Sequence, residues 1–174
     1  MNKGFYFVIF IFALLSGTRF SSAQLDEYRI KSAFLRNFCI YTTWPVEAMI
    51  DCDSFVIAVI GENPFKNILN ENYDTVKIKN KPVKIKKISS VNEIEEIEDI
   101  HLLFISDSEK DNVSDIIEKT RIEPILTIAD FEGAEKEGVL INIYLTKERS
   151  LAFKINKKAA EEAKSYAEKA RNAS

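Results

Sequence analysis

An unbroken apolar run, Phe55 to Ile60 (FVIAVI), constrains the fold of this chain more than any other feature. It has the length of a β-strand and no polar face, the pattern of a strand covered on both sides and therefore central and parallel. Leu102 to Ile105 (LLFI) and Ile125 to Ala129 (ILTIA) repeat the pattern. Helical segments are predicted between these runs. Asn63 and Pro64 are placed to start one over 66–70, 93–100 reads as another, and Ser108 is placed to cap a third running to about Lys119. Val76 to Ile88 (VKIKNKPVKIKKI) alternates apolar residues with lysine around Asn80-Lys81, as a hairpin or edge ribbon with one wet face does. Val139 to Leu145 and Leu151 to Ile155 are joined by a link short enough for antiparallel pairing, and 156–173, rich in Ala, Lys and Glu, closes the chain as a helix. The expected architecture is α/β and Rossmann-like: a mostly parallel sheet with helices on both faces and a C-terminal antiparallel strand pair.

The first helix, predicted over 25–42, carries more apolar surface than one sheet face needs. Ile30, Ala33, Phe34, Phe38, Ile40 and Tyr41 share one broad arc, and Tyr28, Leu35 and Cys39 form a second stripe. The broad arc is assigned to the core. The second stripe wants another cover, a subunit, a partner or the following loop, and with the Trp44-Pro45 turn beside it becomes the candidate interface: Tyr28, Leu35, Cys39 and Trp44.

Ahead of this helix, Lys3 precedes an apolar stretch from Gly4 to Ser16, and small residues follow at Ser21, Ser22 and Ala23. That is the form of a cleaved signal peptide, and the stretch is shorter than the roughly 20 residues of a spanning helix. Residues 1–23 are expected to be removed, leaving 24–174 as a single exported domain with no membrane span. Removal takes away Lys3 and Arg19 and no acid, so the formal charge moves from −3 to −5. An acidic chain of this kind is a poor nucleic-acid binder. Two cysteines, Cys39 and Cys52, can pair in an oxidising compartment, and closing that loop of about 14 residues would contribute roughly 3 kcal/mol. Two separate thiols are equally compatible with the spacing.

Catalytic motifs are sparse. In an α/β sheet the chemistry belongs at the carboxyl ends of the strands, here the loops at Gly61, Ser106 and Asp130. The first offers one glycine where a dinucleotide fingerprint needs three, and no phosphate loop is present. Asp107 and Asp130 each follow an apolar strand and are the residues a metal-dependent phosphohydrolase would use. The single histidine, His101, lacks companions for a zinc site or a catalytic triad and reads as structural or surface-exposed. The lysines between 77 and 87 read as the solvent face of an edge strand. No enzyme activity and no cofactor are expected, and a small-molecule receptor with a pocket at the three loops is the other alternative.

Six motifs in order carry a family resemblance: Lys31 to Phe38 (KSAFLRNF) with Trp44-Pro45, Gly61 to Phe65 (GENPF), Leu103 to Ser106 (LFIS), Leu126 to Phe131 (LTIADF), Gly138 to Ile143, and Phe153 to Ala160. Together they resemble the YfiR-like family of exported bacterial proteins, over Tyr28 to Ala160. The resemblance implies a periplasmic regulator. The family's founding member is a dimer that binds the periplasmic sensor domain of a membrane-bound diguanylate cyclase and holds it inactive, and its release raises cyclic di-GMP and favours biofilm. The implied partners are therefore a membrane-bound signalling protein and a second copy of the chain. Family members often carry a redox-active cysteine shortly before the LFIS strand. Here His101 stands near that place and the cysteines lie elsewhere in sequence, so redox control is not implied.

Overall fold

The computed structural model describes residues 22–50, 52–97 and 99–173. All but the last two positions of the expected leader, 1–23, lie outside them. Among the described residues, five helices, α1 (Ser22–Tyr41), α2 (Glu47–Ile50), α3 (Ile68–Tyr73), α4 (Val113–Thr120) and α5 (Lys157–Ala173), are interspersed with seven strands. The strands are β1 (Phe55–Ile60), β2 (Lys77–Ile78), β3 (Lys81–Ile88), β4 (Ile100–Ile105), β5 (Leu126–Ala129), β6 (Ile141–Leu145) and β7 (Leu151–Ile155). They form one sheet in the order β2-β3-β1-β4-β5-β6-β7. The strands from β3 to β6 are parallel, and β2 and β7 close the edges in antiparallel pairs.

The FVIAVI run lies between β3 and β4, pairing Ile57 with Ile85 on one side and with Leu102 on the other, and every residue in it is buried. Successive side chains enter opposite cores. Ile57 and Val59, with Leu102, Phe104, Ile128 and Ile143, meet Leu35 and Cys39 of α1 and Leu69 and Tyr73 of α3. Ala58 and Ile60, with Leu103 and Ile105, meet Val113 and Ile116 of α4 and the 3-10 turns at 91–96 and 134–137. A strand covered on both faces has no position for a polar residue, which is why its sequence does not alternate. β3, at the edge of the covered region, alternates instead: Val83 and Ile85 are half-buried and Lys84 and Lys86 exposed.

Three predicted helices differ from those formed. Asn63 accepts the Phe65 N–H at 3.0 Å and so shapes a turn, and the helix begins five residues later at Ile68. The segment at 93–100 is a 3-10 turn over Val91–Glu96, ended by Asp99 in the left-handed region (φ 58°) before Ile100 enters β4. Ser108 caps no helix because its Oγ accepts the Glu62 N–H at 2.9 Å; a 3-10 turn runs from Asp107 to Asn112 and α4 starts at Val113. The hairpin turn falls on Lys79 and Asn80, both at positive φ, the geometry of a two-residue loop matched to strand twist.

Candidate functional site

At the carboxyl ends of β1 and β5 the chain's own side chains pack around Gly61 and Asp130, and an open depression beside them is lined by Lys110, Asp111, Phe131 and Glu132. Gly61 has φ +87°, and a Cβ there would meet Ser108 Oγ at 2.4 Å and Glu109 Cγ at 2.6 Å. The glycine therefore serves close packing between the loops after β1 and β4, which leaves no room at that point for a phosphate. Phe65, from the same loop, packs edge-on against Phe104 at 4.8 Å and Tyr28 at 5.1 Å.

Asp130, just after β5, is held by the first turns of α1. Lys31 Nζ lies 2.7 Å from Asp130 Oδ2, and the Tyr28 hydroxyl donates to the same oxygen at 2.9 Å. Lys31 also pairs with Glu27 at 2.5 Å and sits 4.3 Å from the Tyr28 ring centroid. The Lys31 and Asp130 side chains are each only 4% exposed. Burial, and then the adjacent Asp130 carboxylate, push the Tyr28 hydroxyl well above its ordinary range, so it stays a neutral donor. A carboxylate satisfied in this way latches α1 to the sheet and is not free to ligate a cation. Asp107 is exposed at the start of its 3-10 turn. No group of three or more His, Cys, Asp or Glu that could hold a metal ion occurs among the described residues.

The candidate interface requires correction. Leu35 and Cys39 are 0% exposed and lie in the core; Trp44 is buried edge-on against Phe55 at 5.2 Å; Tyr28 is half-buried in the latch. The arc assigned to the core is the outward one: Ile30 is 53% and Tyr41 85% exposed. Both arcs are apolar, so periodicity cannot rank them. The polar residues decide. Lys31 and Ser32 flank the Leu35–Cys39 stripe, and each side chain has a partner, Asp130 for Lys31 and Asn72, whose Nδ2 donates to the Ser32 Oγ at 2.9 Å, for Ser32. Phe34 and Phe38, members of the outward arc, are half-buried and pack against Phe153 of β7 at 6.3 and 5.0 Å.

The cysteines are both free and buried in this structure. Burial pushes the Cys39 thiol up to about 12, leaving almost no thiolate to react. Cys52, distant in sequence from position 101, is its neighbour in space: Sγ lies 3.6 Å from His101 Nε2. His101 is buried, stacks on Phe55 at 4.6 Å, accepts the Val56 N–H at Nδ1 (3.1 Å) and points Nε2 at the Ala48 carbonyl (3.2 Å). These partners assign the proton to Nε2. They make the neutral ring a strut across the amino end of the sheet.

Burial lowers the His101 pKa below its usual 6.5, so the unfolded chain binds the proton more readily than the folded one. The contribution to stability is complete above that ordinary value and is lost as pH falls through the folded one. We therefore expect His101→Asn, whose Oδ1 can accept the Val56 N–H, to flatten the fall in thermal midpoint between about pH 7 and about pH 5. An unchanged slope would show that the ring does not titrate with unfolding.

A family profile described as YfiR/HmsC-like matches residues 28–165. No curated protein matches at a significant level. Among solved structures the chain is similar to apo CalE6, a methionine gamma lyase from Micromonospora echinospora, at 9% identity and a TM-score of 0.48. That likeness covers 83% of this chain and 42% of that one, less than half its length, and bears on neither fold nor activity. The profile runs from Tyr28 within α1 through the whole sheet into α5, and includes the Lys31–Asp130 latch and the Gly61 turn. The chain belongs to the YfiR/HmsC-like family.

Proposed function

We propose that residues 24–174, freed of the leader, work in the periplasm as a regulatory protein that binds a membrane-bound signalling protein and restrains it, the target being the sensor domain of a diguanylate cyclase. The family match over residues 28–165 carries this reading. The geometry of the sheet supports it, because the Gly61 turn after β1 and Asp130 after β5, two places where an α/β enzyme would put its chemistry, are taken up by contacts with Ser108, Glu109 and Lys31. Restraint of this kind needs only that the partner's inactive conformation be bound more tightly than its active one, and its strength is limited to that difference.

The partner surface we assign is the apolar band shared by α1 and β7: Ile30, Phe34, Phe38, Phe153 and Ile155. Phe153 and Ile155 are exposed at the open edge of the sheet, and Ile30 continues the band along the helix. Capture of the membrane signalling protein from a detergent-solubilised envelope by the tagged chain is the test. Ile30→Glu with Phe153→Glu is expected to abolish capture with little change in thermal midpoint, and deleting the protein is expected to raise cellular cyclic di-GMP. Cyclic di-GMP unchanged by deletion would sink the cyclase reading, and capture unaffected by the double variant would sink the surface.

A further inference from the structure

A second exposed apolar group lies at the amino end of the sheet, away from that band. Tyr41 (85%), Val46 (65%) and Ile50 (64%) are exposed, with Ile40 beside them, all within the short stretch from the end of α1 to α2. The inner side of the stretch is anchored: Trp44 packs on Phe55, and the Ala48 carbonyl faces His101. Val46 and Ile50 are one helical turn apart, joined by the Ile50 N–H to Val46 carbonyl bond at 3.1 Å, and so stand on one outer side.

The lysine ribbon is attached to this tip. Lys79 Nζ donates to the Ile40 carbonyl at 2.8 Å and Lys81 Nζ to the Cys52 carbonyl, so the β2–β3 turn is tied to both ends of the apolar stretch. Beyond the turn, the ammonium groups of Lys77, Lys84, Lys86 and Lys87 are exposed and have no hydrogen-bond or ion-pair partner among the described residues. In a chain with 27 acidic and 24 basic residues, a group of unpaired lysines of this size is a local excess against the overall sign of charge. The described acids of the tip itself are Glu47 and Asp53.

We infer that this tip and ribbon form a peripheral docking surface for an anionic phospholipid bilayer. Edge-strand protection accounts for lysine on β3. It does not account for four bulky apolar side chains left in water next to it. Isolated apolar side chains on a protruding turn need no shape-matched pocket when their acceptor is a fluid acyl boundary, and tyrosine is favoured at headgroup depth. The lysines supply the electrostatic component, which is screened by salt. No described helix is long and apolar enough to cross a membrane. Docking through a few apolar side chains and lysines is superficial and reversible. A regulator held in this way would search for a membrane-bound target in two dimensions. The inference does not depend on which target that is.

The test is flotation of the purified leader-free chain with vesicles of phosphatidylethanolamine and phosphatidylglycerol, and with vesicles of phosphatidylcholine alone. Binding to the first and not the second is expected, with loss at high salt. Val46→Glu with Ile50→Glu should remove it, and Lys84→Glu with Lys86→Glu should weaken it at least tenfold, about 1 kcal/mol per lysine being typical of such contacts. A Tyr41→Trp probe, read against the buried Trp44, should shift to the blue on anionic vesicles; this arm stands even if a glutamate variant fails to fold. Equal flotation with both vesicle types, flotation that survives Val46→Glu with Ile50→Glu, or no blue shift would each overturn the inference. So would a self-associating wild type whose dimer is broken by the same pair without vesicle binding, since the face would then belong to a second copy.

Discussion

Replacing Lys31 with alanine is expected to lower the unfolding free energy by about 3–5 kcal/mol, the range for removing one member of a buried ion pair. The Asp130 carboxylate would keep only the Tyr28 hydroxyl at 2.9 Å, in a position where its side chain is 4% exposed and water cannot take over. Glu27 contributes less to the loss because it is better exposed at 23%. For a domain of this size each kcal/mol moves the thermal midpoint by about 2–4 °C, so the shift is well outside measurement error. Asp130→Ala should cost less, since the Lys31 ammonium keeps Glu27 at 2.5 Å.

The informative variant is the pair Lys31→Met with Asp130→Leu. If the single losses come from stranding a charge, the double variant recovers most of the stability, because a buried ion pair and an apolar replacement of similar volume are often close in energy. If the double variant is as unstable as the sum of the singles, the latch contributes net attraction of its own. Urea unfolding of the wild type, Lys31→Met, Asp130→Leu and the double variant closes the cycle and distinguishes the two. Single losses below about 1 kcal/mol would contradict the burial of the pair, since that is the range of an exposed one.

Legibility in the sequence followed how many physical constraints each segment answers to. FVIAVI and LLFI admit one solution: strands of that length with no polar position are covered on both faces, and they are β1 and part of β4. The hairpin, the antiparallel β6–β7 pair and the long helices at each end were equally readable. Short helices were not: Ser108 is a good cap whose side chain is taken by a loop-to-loop bond invisible in one dimension, and Asn63 is one whose side chain closes a local turn on the Phe65 N–H instead. The orientation of α1 failed for a related reason. Its two apolar arcs satisfy helical period equally, and the choice between them is made by Asp130, 99 residues away from Lys31. A lysine lying between apolar stripe positions of a helix, in a chain with an aspartate directly after an apolar strand, is the signal that pointed the right way. His101 and Cys52 came together for the same long-range reason: parallel pairing of β1 with β4 brings the segment before β1 over the start of β4.

That orientation is open to a direct comparison, with the second large effect expected here. Leu35→Ala should destabilise by about 2–5 kcal/mol, because a fully buried leucine loses its transfer energy and leaves a cavity between α1 and the sheet. Ile30→Ala, on the opposite side of the same helix, should stay within about 0.5 kcal/mol, as exposed substitutions do. Alanine has the higher helix propensity, so any intrinsic effect at Ile30 runs in the stabilising direction. Had the Tyr28–Leu35–Cys39 stripe faced outward, the ranking would be inverted, with Ile30 giving the large loss. Chemical denaturation of the two variants decides it, and the midpoints must be compared at equal slope, since a changed slope would mean that the unfolded or folded ensemble itself had altered. The same pair separates fold from function. On the proposed partner surface, Leu35→Ala should weaken capture only by unfolding the chain, so its effect should vanish well below the melting transition, whereas Ile30→Glu with Phe153→Glu should abolish capture in a chain whose stability is little changed.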